Sequence, residues 1–370
     1  MIYFDNAATS RFKPNCVKKA IADSLRHSAN PGRSSHKEAI RGAMIVENTR
    51  ERLLRYVQAK QANVIFTKNC TEALNLAVLG TARLGGHVVT TTWEHNSVLR
   101  PLNMLKKEGV ISLTVLEGFI DENKLLSAIN DKTYLVAVTA MSNVTGYEPP
   151  LEMIGEICAA KGVKLLVDGA QSLGHRKIDF DKLGIDLLCG AGHKSLYGIM
   201  GTGFLIYQKR IFVNPLLYGG TGTESTNLYQ PANPPESLES GTLNLPGIVA
   251  LGAGLKWTEK HFDEINENCK RISLFLHREL ENDSEIFSIA GSPILSFRLR
   301  NLAPSVTADL LDSRYGIATR SGLHCAPLAH KALGTNETGL VRISIGCNNG
   351  MRDAKRLVKA IKELSSEKTE

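Results

Sequence analysis

Between about residues 62 and 210, short apolar runs closed by a small or polar residue recur along the chain: ANVIFT, GHVVTTT, YLVAVTAM, VKLLVD, IDLLCG and GFLIY. Runs of that length, apolar throughout instead of alternating, predict strands buried on both faces. Between them lie stretches with helical spacing, such as TEALNLAVLGTARL, NSVLRPLNMLKKEG and PLEMIGEICAAKG. Strands alternating with helices imply a mostly parallel sheet covered on both faces, with ligands gathering at the carboxyl ends of the strands.

Past residue 210 the pattern changes. The glycine-rich YGGTGTESTN and the proline-rich QPANPPESLESGT precede a long helical pattern from about Pro246 to Leu280. Short strands then follow in ILSFRLR, GIATRSG and GLVRISIG, and MRDAKRLVKAIKELSSE reads as an amphipathic closing helix. A length of 370 residues with 43% hydrophobic composition is enough for two cores. The expectation is an α/β chain with a large domain over 15–250, carrying the mostly parallel mixed sheet. A smaller α+β domain would comprise 251–370 together with residues 1–14. Only the polar tail, Ser365 to Glu370, is expected to lack order.

The opening MIYFDNAATS has an acid at Asp5 and no basic segment leading into an apolar stretch, so it does not read as a signal peptide. No apolar run reaches the roughly 20 residues that span a bilayer. A soluble, cytoplasmic protein with no membrane partner is the resulting expectation. Seven cysteines, scattered from Cys16 to Cys347, match neither a secreted disulfide framework nor paired CxxC metal knuckles. A net charge of +7 raises the question of nucleic acid, but bases and acids interleave, as in KWTEKHFDEINENCKR, and no basic run carries interleaved aromatics. The excess fits solubility or anionic ligands, not a duplex partner.

Candidate chemistry lies at the strand ends. Lys194, in LLCGAGHKSLYG, follows an apolar strand between glycines, where a depressed pKa would make its amine able to form a Schiff base; surface solvation is the plain alternative. Asp168 closes VKLLVDGAQS, and a carboxylate there needs a facing cation unless it caps the next helix. An Asp placed for a pyridinium nitrogen and a Lys for an aldehyde together fit pyridoxal phosphate (PLP). Cys70 and Thr71, with Glu72 in the first turn of a helix, form an anion site suited to phosphate, or Thr71 simply caps that helix. His95 and Asn143 reach the same rim from TTWEHNSVL and AMSNVTG. Near the end of the chain, RSGLHCAP sets His324 beside Cys325, which read alone is a nucleophile, a metal ligand or a bystander. A zinc site from His324, Cys325 and His330 fits no standard ligand spacing.

Taken in order, YFDNAAT, NPGRSSH, NCTEALN, EHNS, SNVTG, DGAQS, GHK, ESGTLN, RSGLHCA and VRIS cover nearly the whole chain. This ordered set resembles the PLP-dependent cysteine desulfurases and selenocysteine lyases of the class V aminotransferases, and the short connection into RSGLHCA is similar to the second of the two family groups. The resemblance implies the PLP fold type I and the following roles. Lys194 would hold PLP and shuttle the Cα proton, Asp168 would keep the ring nitrogen protonated, Gln171 would bond the ring oxygen and His95 would stack on the ring. Asn143 would approach cofactor or substrate, and Cys70, Thr71 and His193 would hold the phosphate. Gly241 and Thr242 would complete that phosphate site from the other subunit of a homodimer. Arg342 would clamp the substrate carboxylate.

The implied reaction takes L-cysteine to L-alanine and leaves a persulfide on Cys325 for an acceptor protein, with L-selenocysteine as an alternative substrate. His324 and Arg320 are candidates to favour the Cys325 thiolate by sequence proximity. A desulfhydrase releasing sulfide, an aminotransferase, and a non-catalytic sulfur-assembly scaffold are the rivals. Three positions depart from the family pattern: Ala191 and Cys70 stand where relatives carry hydroxyls, and YGIMGTG stands where many read Gly-Pro after the lysine.

Overall fold

The computed structural model describes residues 1–27, 29–31 and 34–367. Gly32 and Arg33 of NPGRSSH and residues 368–370 of the expected tail lie outside the described residues. In chain order the elements begin with β1 (Ile2–Tyr3), α1 (Asn15–Arg26), α2 (Lys37–Tyr56), β2 (Ala62–Thr67), α3 (Cys70–Gly80) and β3 (Gly86–Thr91). They continue through α4 (Asn96–Lys107), β4 (Ile111–Leu116), α5 (Glu122–Ala128), β5 (Thr133–Thr139), α6 (Leu151–Lys161), β6 (Lys164–Asp168), β7 (Leu187–Ala191) and β8 (Gly203–Gln208). After the irregular 209–244 come α7 (Leu245–Leu280), β9 (Glu285–Ile286), β10 (Ile294–Arg298), α8 (Pro304–Tyr315) and β11 (Ile317–Ala318). The chain closes with β12 (Arg320–Gly322), α9 (Pro327–Ala332), β13 (Leu340–Ser344) and α10 (Met351–Ser366). Helix α10 therefore includes Ser365 and Ser366, which the sequence assigns to a tail without order.

Seven strands form one sheet in the order β2-β8-β7-β6-β5-β3-β4. Strand β8 is antiparallel to both its neighbours, and the remaining pairings among β7, β6, β5, β3 and β4 are parallel. All six apolar runs become strands of this sheet. The seventh, β4, escapes the sequence pattern because it is an edge strand whose Ser112 and Thr114 interrupt the apolar run. Every residue of β5 is buried, as its central position demands. One core lies on each face, and the C-terminal elements close a third around Phe297, Ile343 and Leu357.

Helix α7 connects these cores. Leu245, Ile248, Leu251 and Leu255 pack against the large sheet, whereas Ile265, Ile272, Leu276 and Leu280 pack in the C-terminal core. The change of partner coincides with a break in helical dihedrals at His261. The C-terminal strands form an antiparallel sheet, β12-β13-β10-β9, and β1 pairs in parallel with β11, so residues 2–3 lie with the C-terminal part of the chain.

The segment before α7 is fastened by charge. Arg50 of α2 donates to both carboxylate oxygens of Glu239, at 2.9 and 2.6 Å, and to the Val64 carbonyl, while the Phe66 amide donates to Glu239 at 2.6 Å. Both side chains are buried, so removal of one leaves the other charged in a low-dielectric interior. Glu239→Ala is expected to lower the unfolding free energy by about 3–5 kcal/mol in urea denaturation. A loss no larger than a surface pair gives, below about 1 kcal/mol, would refute this account.

Candidate functional site

The parallel arrangement brings the carboxyl ends of β3, β5, β6 and β7 to one rim. Because β8 runs back against β7, the 192–202 link between them turns at that rim and carries His193 and Lys194 over it. The start of α3 reaches the same place after β2. Gly203 permits this approach, since a Cβ there would lie 2.3 Å from the Asn69 carbonyl carbon and 2.6 Å from the Cys70 nitrogen. The resulting cleft is lined by Cys70, Thr71, His95, Asn143, Asp168, Gln171, Ala191, His193, Lys194, Arg320, His324 and Arg342. Nine of the residues singled out from sequence thus meet here, with Ala191, Arg320 and His324 beside them.

Asp168 ends β6 wholly buried, with Oδ1 accepting from the Ala170 amide at 2.9 Å and the Cys70 thiol 3.7 Å away. Burial raises its pKa, while Ala170, Lys194 and Cys70 hold the anion back down. The same burial lowers the Lys194 amine, with Asp168 the main influence favouring its charge. Each ionised group thus depends on the other or on a charged ligand. Cys70 is pushed well above the usual thiol range by burial and then by Asp168, so it stands as a neutral thiol.

The cap of α3 is Asn69, whose side chain accepts from the Glu72 amide at 2.9 Å, and Thr71 is not the cap. Asn69 wins because its extended backbone places a short acceptor one residue before the first turn. The Thr71 hydroxyl instead bonds Ser97 Oγ at 2.8 Å, and Ser97 Oγ lies 2.9 Å from His95 Nδ1. His95 caps α4, its Nδ1 accepting from the Ser97 amide at 3.1 Å, which places the ring proton on Nε2. Burial, followed by Lys194 and the nearby arginines, pulls the ring down to about 4, so a neutral imidazole faces the cleft. His193 is likewise lowered to about 4 by burial and Lys194, and its buried Nδ1 has no partner.

Arg342 enters from β13, donating through Nη2 to Asp5 and through Nη1 to the Asn143 carbonyl, both at 3.1 Å. Its buried Nε has no partner. The Asn143 amide donates to the His324 carbonyl at 2.7 Å, and the Asn96 amide to the Cys325 carbonyl at 2.7 Å. Gln171 donates to the Ala7 carbonyl at 3.0 Å. Cys325 is exposed at the mouth, with Arg320 Nη2 3.9 Å from its sulfur. The His324 ring has His330 and the Arg320 carbonyl as its partners, and burial takes it down to about 2. Of the two neighbours offered for Cys325, Arg320 is the one in contact, and a neutral His324 supplies no charge to the thiol.

Gly241 and Thr242 are not brought to the cleft; Thr242 lines a separate hollow with Leu217, Leu238 and Asn244. After the lysine, YGIMGTG forms a tight turn in which Tyr197 takes a positive φ and its amide donates to the Lys194 carbonyl at 2.9 Å. Two groups were missed from sequence. His175 lies 2.8 Å from Ser195 Oγ and 3.0 Å from Asn266, tying the residue after Lys194 to α7. Glu94, beside His95, is fully buried, its Oε1 accepting from Thr91 Oγ1 at 2.6 Å and the Thr139 amide at 3.0 Å. Only three-dimensional burial distinguishes either from a rim residue. Among the described residues no cluster of three or more His, Cys, Asp or Glu side chains has metal-binding geometry.

A buried carboxylate, a lysine whose amine is lowered, and an anion-receptive helix start with an unpaired imidazole nitrogen suit a ligand carrying a basic ring nitrogen, an aldehyde and a phosphate. The family model described as Aminotransferase class-V matches residues 2–357. A probable cysteine desulfurase of Pyrococcus abyssi is 34% identical, with 98% of this chain and 94% of the relative covered. One from Methanothermobacter thermautotrophicus is 32% identical at the same coverage. The solved apo structure of a cysteine desulfurase from Thermococcus onnurineus NA1 superposes with a TM-score of 0.91 at 32% identity, covering 98% of this chain and 94% of that one.

Glu94 offers a test of the site's electrostatics. Burial pushes its carboxyl from 4.5 up to about 8, so the folded state holds a proton that the unfolded state releases near 4.5. Its contribution to stability is therefore full below about pH 4.5 and lost as pH rises through about 8. Glu94→Gln keeps an acceptor for Thr91 and Thr139 but cannot titrate. The wild type should lose stability relative to this variant by about 1.4 kcal/mol per pH unit between pH 5 and 8 in denaturant titrations. Parallel curves for the two proteins would show that Glu94 is ionised in the fold.

Proposed function

The chain belongs to the aminotransferase class-V family and is a cysteine desulfurase; from that premise we propose that it holds pyridoxal 5'-phosphate between Asp168 and Lys194 and carries the sulfur of L-cysteine on Cys325. The observation that carries this reading is the convergence of Lys194, Asp168 and Arg342 on one cleft, with the Cys325 turn tied to its rim by Asn143 and Asn96. When bound, the cofactor withdraws electrons from the substrate and so acidifies its Cα–H. Asp168 supplies the anion for the ring nitrogen, and its raised pKa marks a carboxylate that gains from a cation. The first amides of α3, with Cys70, Thr71 and His193, would hold the phosphate, and neutral His95 would face the ring. Gln171 would bond the ring oxygen, and Asn143 would approach cofactor or substrate from the rim.

Lys194, its pKa lowered by burial, would hold the cofactor and move the proton at Cα. The unpaired Arg342 Nε–H is a donor for the substrate α-carboxylate, with the guanidinium plane fixed by Asp5 and Asn143. The Cys325 thiolate attacks the substrate sulfur, forming an S–S bond as the C–S bond breaks. The C–S pair stays with the carbon, which takes up a proton and leaves as L-alanine. The persulfide then passes to an acceptor protein, for which the exposure of Cys325 is the supporting fact.

We also propose a homodimer in which Gly241 and Thr242 complete the partner's phosphate site. Their distance from their own cleft and the exposed Tyr218, Leu228 and Tyr229 nearby in sequence support it. Among the described residues no helix is long and apolar enough to cross a membrane, and the seven cysteines are free, which supports a cytoplasmic location.

Incubation of the cofactor-loaded protein with L-cysteine and with L-selenocysteine, scoring alanine, pyruvate, sulfide and protein persulfide together, is the deciding experiment. Alanine with stoichiometric persulfide on Cys325 is expected, and Cys325→Ala should lower turnover by at least about a thousandfold. Cofactor bound through Lys194 should colour the protein yellow, and Lys194→Ala should lose that absorbance. Undiminished release of sulfide and pyruvate by Cys325→Ala would overturn the persulfide route.

A further inference from the structure

Behind the cysteine turn lie two buried histidines that the proposed reaction does not use. The rings of His324 and His330 stack with centroids 5.6 Å apart, and His324 Nδ1 lies 3.4 Å from His330 Nε2. The outer nitrogens also have partners: His324 Nε2 is 3.2 Å from the Arg320 carbonyl, and His330 Nδ1 is 2.8 Å from Thr335 Oγ1. A carbonyl only accepts, so His324 Nε2 carries the proton. In a neutral ring its Nδ1 is then bare and must accept, which places the His330 proton on Nε2 and leaves His330 Nδ1 to accept from the Thr335 hydroxyl. The Arg320 carbonyl on one ring nitrogen and the His330 N–H on the other thus hold His324 together in one tautomer.

That carbonyl belongs to Arg320, the residue whose guanidinium lies 3.9 Å from the Cys325 sulfur. The His324 ring closes the turn from 320 to 324, and His324 and Cys325 both adopt positive φ, at 49° and 58°. Non-glycine residues rarely take that region, so two in succession require fixed hydrogen bonds. The charged groups facing the thiol are Arg320 from β12 and Arg342 from β13, the latter already paired with Asp5. His330 is fully buried on α9, next to Ala329 and with its amide bonded to the Ala326 carbonyl, both members of an apolar cluster, where a leucine would satisfy packing alone.

We propose that His330 is a positioning residue for the sulfur step: it locks the His324 tautomer and so holds the Arg320–Cys325 turn that presents the thiol. The proposal rests on the reading of Cys325 as sulfur carrier. A loosened turn would leave substrate binding intact and misplace only the attacking sulfur, so the effect belongs in kcat and not in KM.

The test compares His330→Leu, which removes the donor to His324, with His330→Gln, whose side-chain amide can restore it, in the cofactor-loaded enzyme. His330→Leu should lose roughly ten- to hundredfold in kcat for L-cysteine with KM changed by less than about twofold, and His330→Gln should recover most of that loss. Nitrogen-15 histidine spectra should show His324 protonated on Nε2 in the wild type and His330→Gln, and mixed tautomers in His330→Leu. Should His330→Leu fail to fold, Thr335→Val, which frees His330 to change tautomer, should lower kcat and mix the His324 signals in the same direction. Equal activity of the Leu and Gln variants, or an unchanged His324 signature in whichever of His330→Leu and Thr335→Val folds, would overturn the proposal. The spectra do not depend on sulfur chemistry. A persulfide found elsewhere than Cys325, with His324 still locked, would therefore sink the sulfur-carrier reading and leave the relay standing.

Discussion

The arrangement of the cleft depends on burying one guanidinium. Arg342 is among the largest side chains fully withdrawn from water, and an uncompensated charge there would cost several kcal/mol. Its compensation comes from segments far apart in sequence, the carboxylate of Asp5 and the carbonyl of Asn143. Strand β13 sets the position of the arginine between Ser296 on β10 and Arg320 on β12. The N-terminal segment, the turn after β5 and the cysteine turn are therefore located relative to one cation. Even so, burial draws the group down to about 10, which indicates that Asp5 only partly offsets the loss of water.

The same accounting extends to the rest of the site. Lys194, Arg320 and Arg342 line one cleft, whereas the carboxylates set against them are Asp168 and Asp5. The imidazoles do not add to the cationic side, because burial keeps His95, His193 and His324 neutral. Such a field favours ligands that bring negative charge, and a phosphorylated cofactor and an amino-acid carboxylate both do. The opposite shifts of Asp168 and Lys194 have one origin in burial. Each is a group that a ligand of complementary charge stabilises, so ligand binding and ionisation are coupled.

How much of this was legible follows from which residues announce themselves locally. Continuous apolar runs identified the inner strands because burial on both faces is a property of the run itself, whereas β4, exposed along one edge, carried a mixed pattern. Lys194 and Asp168 were visible because a charge directly after an apolar strand is costly unless used. Glu94 has the same character, but it stands beside His95 and reads as one more polar residue of a turn. The Asn69 cap was overlooked in favour of Thr71 because both are good capping types and only backbone dihedrals separate them. His324 and His330 were grouped in sequence only as a zinc set of no standard spacing, and their hydrogen bond could not be read: His330 lies six positions on, across a turn whose left-handed residues no spacing rule predicts.

The conformation of that turn also constrains how sulfur moves. Cys325 stands exposed at the mouth and not inside the cleft, while its carbonyl and that of His324 are both held by side-chain or main-chain amides of the large-sheet region. A segment with two consecutive strained residues and fixed carbonyls is poorly suited to swinging several ångströms on each turnover, because leaving the strained state means breaking the bonds that offset it. With the substrate carboxylate at Arg342, as proposed above, the distance between substrate sulfur and thiol must be closed mainly by the flexible mercaptomethyl side chain of the substrate. Exposure of the sulfur serves the second half of the reaction, since an acceptor thiol can reach the mouth of the cleft without entering it. One fixed turn thereby meets both requirements: proximity to the cleft for sulfur capture, and access to solvent for its delivery.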